Sequence, residues 1–139
     1  MPWSPTSPGV LVLPGGGAVR GRRLGQDGGG ADLTLALGRG PAPPWEHRRL
    51  RWPDFGVPLD AEDALDALRE VAARARAGER VEVACRGGVG RTGTALATLA
   101  VLDGLTADAA VDWVRARYDR RAVETPWQRR WLRRVARGA

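Results

Sequence analysis

"VEVACRGGVGRTGTALATLA", residues 81–100, changes its period twice. Val81, Val83 and Cys85 alternate with Glu82 and Ala84, the period-two pattern of a strand. Glycines at 87, 88 and 90 then interrupt the chain, and from Arg91 the residues read as an apolar helix that stops at Gly104. A short apolar strand feeding a helix through a glycine-rich loop belongs to an α/β architecture. Cys85, the only cysteine in the chain, stands at the strand end, six residues before Arg91.

The loop between them, Arg86, Gly87, Gly88, Val89 and Gly90, has the chemistry of an anion cradle. Six residue steps of ~3.3 Å give a contour of about 20 Å, enough to wrap the oxygens of a phosphate with backbone N–H groups. Glycine lets those groups point inward, and the helix that follows directs its partial positive charge into the same space. Arg91, in the first turn, can fork onto two oxygens. A thiol at such a helix N-terminus beside arginine is favoured as thiolate, so Cys85 is a candidate nucleophile for a phosphate held above it.

Outward from this unit, Val10–Leu13 and Ala18–Arg22 read as two strands joined by a Pro-Gly-Gly-Gly turn. Leu33, Leu35 and Leu37 alternate in another strand, and a short one runs through Leu50 to Trp52. From the cap Asp60 to Gly78, residues Leu65, Leu68, Val71, Ala72 and Ala75 share a helical face. Thr106 caps a further helix. Pro126 opens a last one, on which the four-residue spacing of Trp127 and Trp131 suits a buried face. The expected fold is α/β: one small central sheet, mixed or parallel, flanked by helices. A single domain over residues 1–139 is expected, with 1–9 a flexible tail.

A chain of 139 residues can bury about two-thirds of its unfolded surface and needs no staple. One cysteine forbids an internal disulfide, and one histidine with one cysteine does not make a zinc site, so no metal and no cofactor is expected. The first ten residues lack the basic region and apolar run of a signal peptide, and no stretch is apolar enough to span a membrane. A cytoplasmic protein without membrane contact is expected. All 22 basic side chains are arginine; against 16 acids they leave +6 and a pI near 11.2, which favours anionic ligands. Nucleic acid stays open as a partner because the arginines cluster at 20–23, 48–51 and 129–137.

"CRGGVGRTGT" resembles the Cys-x5-Arg-Ser/Thr motif of the cysteine-based protein tyrosine phosphatase superfamily, dual-specificity members included, and "WPDFGVP", residues 52–58, resembles the mobile general-acid loop of its classical members. The resemblance implies that Cys85 is the nucleophile, that Arg91 clamps the phosphate with Arg86, Gly87, Gly88, Val89 and Gly90 around it, and that Thr92 steadies the sulfur as it leaves. Asp54 would protonate the leaving oxygen and later take a proton from water, with Gly56 as hinge. "VETPWQ" resembles weakly a loop in which two glutamines position the hydrolytic water, which makes Gln128, at the second place, a candidate for that role and leaves Glu124, at the first, either to orient water or to serve only as a helix-entry acid near Pro126. The usual histidine before the cysteine is replaced by Ala84, and the segment that deepens the phosphotyrosine slot has no match, so a minimal, dual-specificity-like member of bacterial type is implied. His47 reads as a strand or surface residue.

The function so implied is hydrolysis of a phosphomonoester, on phosphotyrosine or dual-specificity phosphoprotein, through a phosphocysteine. Two alternatives stay open: a phosphate-binding module that has lost catalysis, and an RNA 5′-phosphatase. Phosphoinositides are a weaker case, since the loop adds only Arg86. No oligomeric state is legible.

Overall fold

A computed structural model describes residues 1–138 of the chain. Four strands, β1 (Val10–Val12), β2 (Ala18–Arg23), β3 (Leu33–Leu37) and β4 (His47–Leu50), precede α1 (Ala61–Arg76); β5 (Val81–Cys85) then leads into α2 (Gly90–Leu102), α3 (Ala107–Arg117) and α4 (Pro126–Ala136). The sheet order is β1-β2-β5-β3-β4. β1 is antiparallel to β2 and the other pairings are parallel, so the sheet is mixed. β5 is central and wholly buried. In the parallel register Leu37 of β3 and Arg23 of β2 lie opposite Cys85, which brings three strand ends together where the glycine loop begins.

The two faces of the sheet differ. Val19, Leu33, Leu35, Leu37, Val81, Val83 and Cys85 point into the main core with Leu65, Leu68 and Val71 of α1 and Leu96 and Leu99 of α2. On the other face Ala36 and Ala84 pack under Leu24. Beside them the fully buried Glu82 accepts from Arg20 Nε (2.9 Å), Arg22 Nε (2.7 Å) and Thr34 Oγ1 (2.6 Å). A buried carboxylate requires such donors, and removing one of them would strand a charge.

The helix boundaries follow local rules. Asp60, Thr106 and Thr125 cap α1, α3 and α4 through their side-chain oxygens, and Gly78, at φ +87°, ends the first of these. Two expectations are corrected. The fourth strand runs over His47–Leu50 and not through Trp52, because Pro53 has no N–H and Trp52 turns its carbonyl to Arg91 of α2 and its indole to Gly56 of the next loop. Residues 1–9 are docked, not a loose tail: Trp3 is 7% exposed, donates Nε1–H to Val81 O (2.7 Å) and stacks under the Arg20 guanidinium. Among the described residues no helix is long and apolar enough to cross a membrane.

Candidate active site

Alternation along β5 turns Cys85 toward the core, where it is 2% exposed. Its sulfur accepts from the Gly88 N–H of the loop that follows (3.1 Å) and from the Thr92 hydroxyl in the first turn of α2 (2.9 Å). Gly88 achieves this at φ +71°, and a β-carbon there would lie 2.9 Å from the backbone nitrogen of Arg23. Its carbonyl, on the opposite side of the peptide, accepts from the Tyr118 hydroxyl. The Tyr118 ring lies against Gly21 of β2, where a β-carbon would be 2.6 Å from Cε1. Burial above all, then the charges on Cys85 and Asp119, pushes the Tyr118 phenol well above its ordinary range, which keeps it a donor.

Arg91 stands in the first turn of α2, 6% exposed. It donates Nη1–H to the Trp52 carbonyl (3.0 Å), and its Nε lies 3.6 Å from Asp54 Oδ1. Room for the guanidinium comes from Gly38, just past β3 at φ +77°. A β-carbon there would collide with Arg91 Nη1 and come within 2.7 Å of the Trp52 carbonyl oxygen. Gly90 is similarly constrained, with the Glu124 carboxylate pressed against it at the start of the helix.

Asp54 lies in a turn closed by Gly56 N–H to Pro53 O (2.9 Å), above the buried Trp52, whose Nε1–H donates to Gly56 O (2.8 Å). The left-handed residue of this turn is Phe55 (φ +59°), not Gly56, where the sequence suggests the hinge. The Asp54 side chain is 68% exposed. The turn is held from α4: Thr125 Oγ1 (3.1 Å) and Trp127 Nε1 donate to Phe55 O, and Gln128 Nε2 donates to Gly56 O (3.1 Å). Gln128 Oε1 accepts from the N–H groups of Glu124 (2.7 Å) and Thr125 (3.2 Å). The amide considered for water positioning is thus fully buried and joins the α4 cap to the Asp54 turn.

Gly88 and Thr92 therefore meet Cys85, and Arg91 meets Asp54, while Gln128 supports the Asp54 turn from behind. A cavity of about 500 Å³ opens between Asp54 and Arg91, walled by Leu50, Trp52, Pro53 and Leu59 and rimmed by Arg39, Arg49, Arg51 and Arg86. Tyr118, Gly38 and Arg39 did not emerge from the sequence, and Arg49 and Arg51 did so only as members of a basic cluster. The one available signal was a glycine directly after a strand and a lone tyrosine closing a helix.

A family model described as protein-tyrosine phosphatase matches residues 45–123, more than half of the chain. The chain belongs to that family. A human relative, tyrosine-protein phosphatase non-receptor type 4 (Homo sapiens), is 38% identical over 90 residues, 60% of this chain; the chain spans only 10% of that protein's length. Among solved structures, the active form of Tk-PTP superposes with a TM-score of 0.70 at 28% identity, covering 78% of this chain and 80% of that one. Kinase associated phosphatase, at 18% identity and a TM-score of 0.68 over 78% of this chain and 70% of its own, shares the fold. Beside this family, the hydrogen-bonded Cys85 sulfur and the meeting of Arg91 with Asp54 on one cavity have a chemical reading.

Proposed function

We propose that the chain, acting as one domain, is a phosphatase that hydrolyses phosphotyrosine in proteins through a phosphocysteine intermediate. The observation that carries this reading is the placement of the Cys85 sulfur between the Gly88 N–H and the Thr92 hydroxyl, at the start of the loop whose far end brings Arg91 to Asp54 on one cavity. Two donors stabilise negative charge on sulfur. The Arg91 fork and the inward N–H groups of residues 86–90 would hold three phosphoryl oxygens, leaving phosphorus in line with the thiolate.

Attack forms the S–P bond as the P–O bond to the leaving group breaks, and the Asp54 carboxyl gives its proton to that oxygen. In the second half, water attacks phosphorus, its proton passes to the Asp54 carboxylate, and the electrons of the S–P bond return to sulfur, where the Thr92 hydroxyl receives them with a hydrogen bond. The apolar walls Leu50, Trp52, Pro53 and Leu59 suit the ring of an aryl phosphate better than the short stem of phosphoserine, which favours phosphotyrosine.

The test sets an aryl phosphate, phosphotyrosine and phosphoserine peptides and a 5′-triphosphorylated RNA against the wild type and Cys85→Ser. Wild type should hydrolyse the aryl phosphate and phosphotyrosine best. The serine variant should lose turnover to background while tungstate still raises its Tm, since the cradle survives and an un-ionised hydroxyl is a poor nucleophile. Hydrolysis by Cys85→Ser at the wild-type rate overturns the covalent route. Tungstate binding with no hydrolysis by wild type returns the binding-module reading, and a preference for the RNA returns the 5′-phosphatase.

A further inference from the structure

The cavity at Asp54 is not the larger of the two that border the glycine loop. A second, of about 800 Å³, opens on the β2 side, and the two share no lining residue: Arg86 and Arg91 face the first, while Gly87, Gly88 and Val89 face the second. Gly88 shows which side of the loop this is. Its N–H points to the Cys85 sulfur and its carbonyl to the Tyr118 hydroxyl, and Tyr118 lines the second cavity. The reaction described above uses no charged group of this wall.

The charge of the wall is unbalanced at depth. Arg20 and Arg22 line it with side chains only 7% and 9% exposed, and both bring Nε–H to one oxygen of one acid, the fully buried Glu82 (2.9 and 2.7 Å). One carboxylate cancels one guanidinium. The carbonyls of Gln26, Gly28 and Gly29 take further N–H groups of the pair, which satisfies donors without supplying charge. Arg23 and Arg80 line the same space, and among the described residues neither pairs with a carboxylate. Arg80 lies over the Trp3 ring at 5.1 Å and donates to the Met1 carbonyl (3.3 Å). Of the two acids in the lining, Asp119 is held by Arg121 (3.3 Å), so only Asp27 joins Glu82 against four guanidinium groups. Two positive charges are left without a counter-ion inside the cavity, a cost that an anion from solution relieves.

Arg22 has a donor to offer such an anion. It spends Nε–H on Glu82 and Nη1–H on Gln26, and Nη2 has no protein acceptor among the described residues. Those residues hold no buried polar side-chain atom without a partner, so Nη2 meets the open space. A planar guanidinium that grips one carboxylate along one edge can take a second along another. Asp27 and Asp119 repel anything as highly charged as a polyphosphate, and Trp3, Pro8 and Val89 offer apolar wall for a short carbon chain.

We infer that this cavity is a second ligand site, built for a small dicarboxylate. One carboxylate meets Arg22 and Arg23 beside the glycine loop, and the other meets Arg80 at the Trp3 end. The assignment rests on the geometry of this wall and not on the phosphatase reading.

Calorimetric titration of the whole chain with succinate, with and without saturating tungstate, tests it. Succinate should bind with a Kd of ~1 mM at ~0.05 M salt, equally in both conditions, and succinamide, its uncharged counterpart, should not bind. Arg23→Gln and Arg80→Gln strand no buried partner and should each weaken succinate about tenfold, the loss of one charge-assisted bond. Arg69→Gln removes the same charge from the exposed face of α1 and should change nothing. Arg23 is itself exposed, so its variant decides the matter even where Arg80→Gln loosens Trp3. Absence of succinate binding, full affinity in Arg23→Gln, an equal loss in Arg69→Gln, displacement of succinate by tungstate, or tighter binding of sulfate to the tungstate-saturated protein would each overturn the inference. None of these outcomes involves turnover, so they stand apart from failure of the phosphatase reading.

Discussion

The loop after Cys85 and the loop around Asp54 meet at Arg91, yet they are held by different means. Around Cys85 both hydrogen bonds to the sulfur come from within seven residues, Gly88 N–H and Thr92 O–H, and Cys85, Gly88 and Thr92 are all buried between β5 and α2. The Asp54 turn is exposed, and its bonds to Thr125, Trp127 and Gln128 bridge some seventy residues of sequence. Its carboxylate is not gripped: Asp54 Oδ1 accepts from the neighbouring Phe55 N–H (3.0 Å) and lies 3.6 Å from Arg91. An anion cradle gains from rigidity, because donors that are already aligned need no reorganisation when charge develops. A proton donor that must reach different leaving oxygens, and then a water, gains from a side chain that is free while its backbone is anchored.

The sharpest break of this contrast is Asp54→Asn, which removes the proton and leaves the turn. For esters with basic leaving groups kcat/KM should fall by ~10²–10⁴, the usual range for general-acid catalysis, while an ester whose leaving group needs no proton keeps most of its rate. Plots of log kcat/KM against leaving-group basicity for wild type and variant should therefore diverge. Parallel plots would remove Asp54 from the reaction.

Gly38→Ala attacks the other side of the contrast from a distance. The added methyl group meets Arg91 Nη1 and the Trp52 carbonyl at a φ of +77°, so the guanidinium has to move. A displacement near 1 Å at a positioning group is worth on the order of 10²-fold in rate. The loss should be nearly equal for good and poor leaving groups, since the clamp serves both, and tungstate should protect the variant less than wild type. A rate within a few-fold of wild type would show that Arg91 has slack.

The same division explains what could be read from the chain alone. Cys85, Gly88, Arg91 and Thr92 were legible because the strand, the loop and the first helical turn that hold them are contiguous. Asp54 was legible only through the resemblance of its seven-residue stretch, since nothing local points it at a cysteine 31 residues away. Gly38 and Arg39 reach the site through strand pairing: Leu37 lies opposite Cys85 in the parallel register, so the next residues of β3 arrive beside the glycine loop. That register depends on tertiary packing and leaves no local mark. Trp127 shows the limit of periodicity. Its spacing to Trp131 suggested a shared buried face, yet Trp131 is 3% exposed and Trp127 52%. Helical spacing identifies residues that align, but not what the fold sets opposite them.

Tyr118→Phe sharpens the comparison at the rear of the Cys85 loop. The hydroxyl donates to Gly88 O, and Gly88 N–H donates to the sulfur, so the phenol fixes one side of a chain that ends on the nucleophile. Losing a hydrogen bond of about 1 kcal/mol should lower kcat/KM about fivefold, as the sulfur loses part of its support. Stability gives a second readout. Burial raises the folded-state value of the phenol above its unfolded 10.0, so its contribution is fully present below pH 10 and is lost as pH rises further. The Tm advantage of wild type over the variant should therefore shrink above that pH. An unchanged rate would make Tyr118 a packing residue only.

The smallest effect belongs to the anchorage of the Asp54 turn. Trp127→Phe keeps a ring at the position and deletes the Nε1–H that donates to Phe55 O. That carbonyl still has the Thr125 hydroxyl at 3.1 Å, and Gly56 O still has Gln128 Nε2 and Trp52 Nε1, so the turn keeps three of its four anchors. A net hydrogen bond is worth about 0.5–1.5 kcal/mol, and one at an exposed site with a second donor on the same oxygen belongs at the lower end. The expected result is a two- to threefold loss in kcat/KM for esters with basic leaving groups. Esters that need no proton should lose almost nothing, because the Cys85 loop and Arg91 are not touched. Tm should move by less than about 2 °C. The leaving-group dependence separates anchorage of the acid from a general effect on folding or substrate binding. Equal losses across the series would mean that Trp127 acts on the mouth as a whole, and that the Asp54 turn is held in place by Thr125, Gln128 and Trp52.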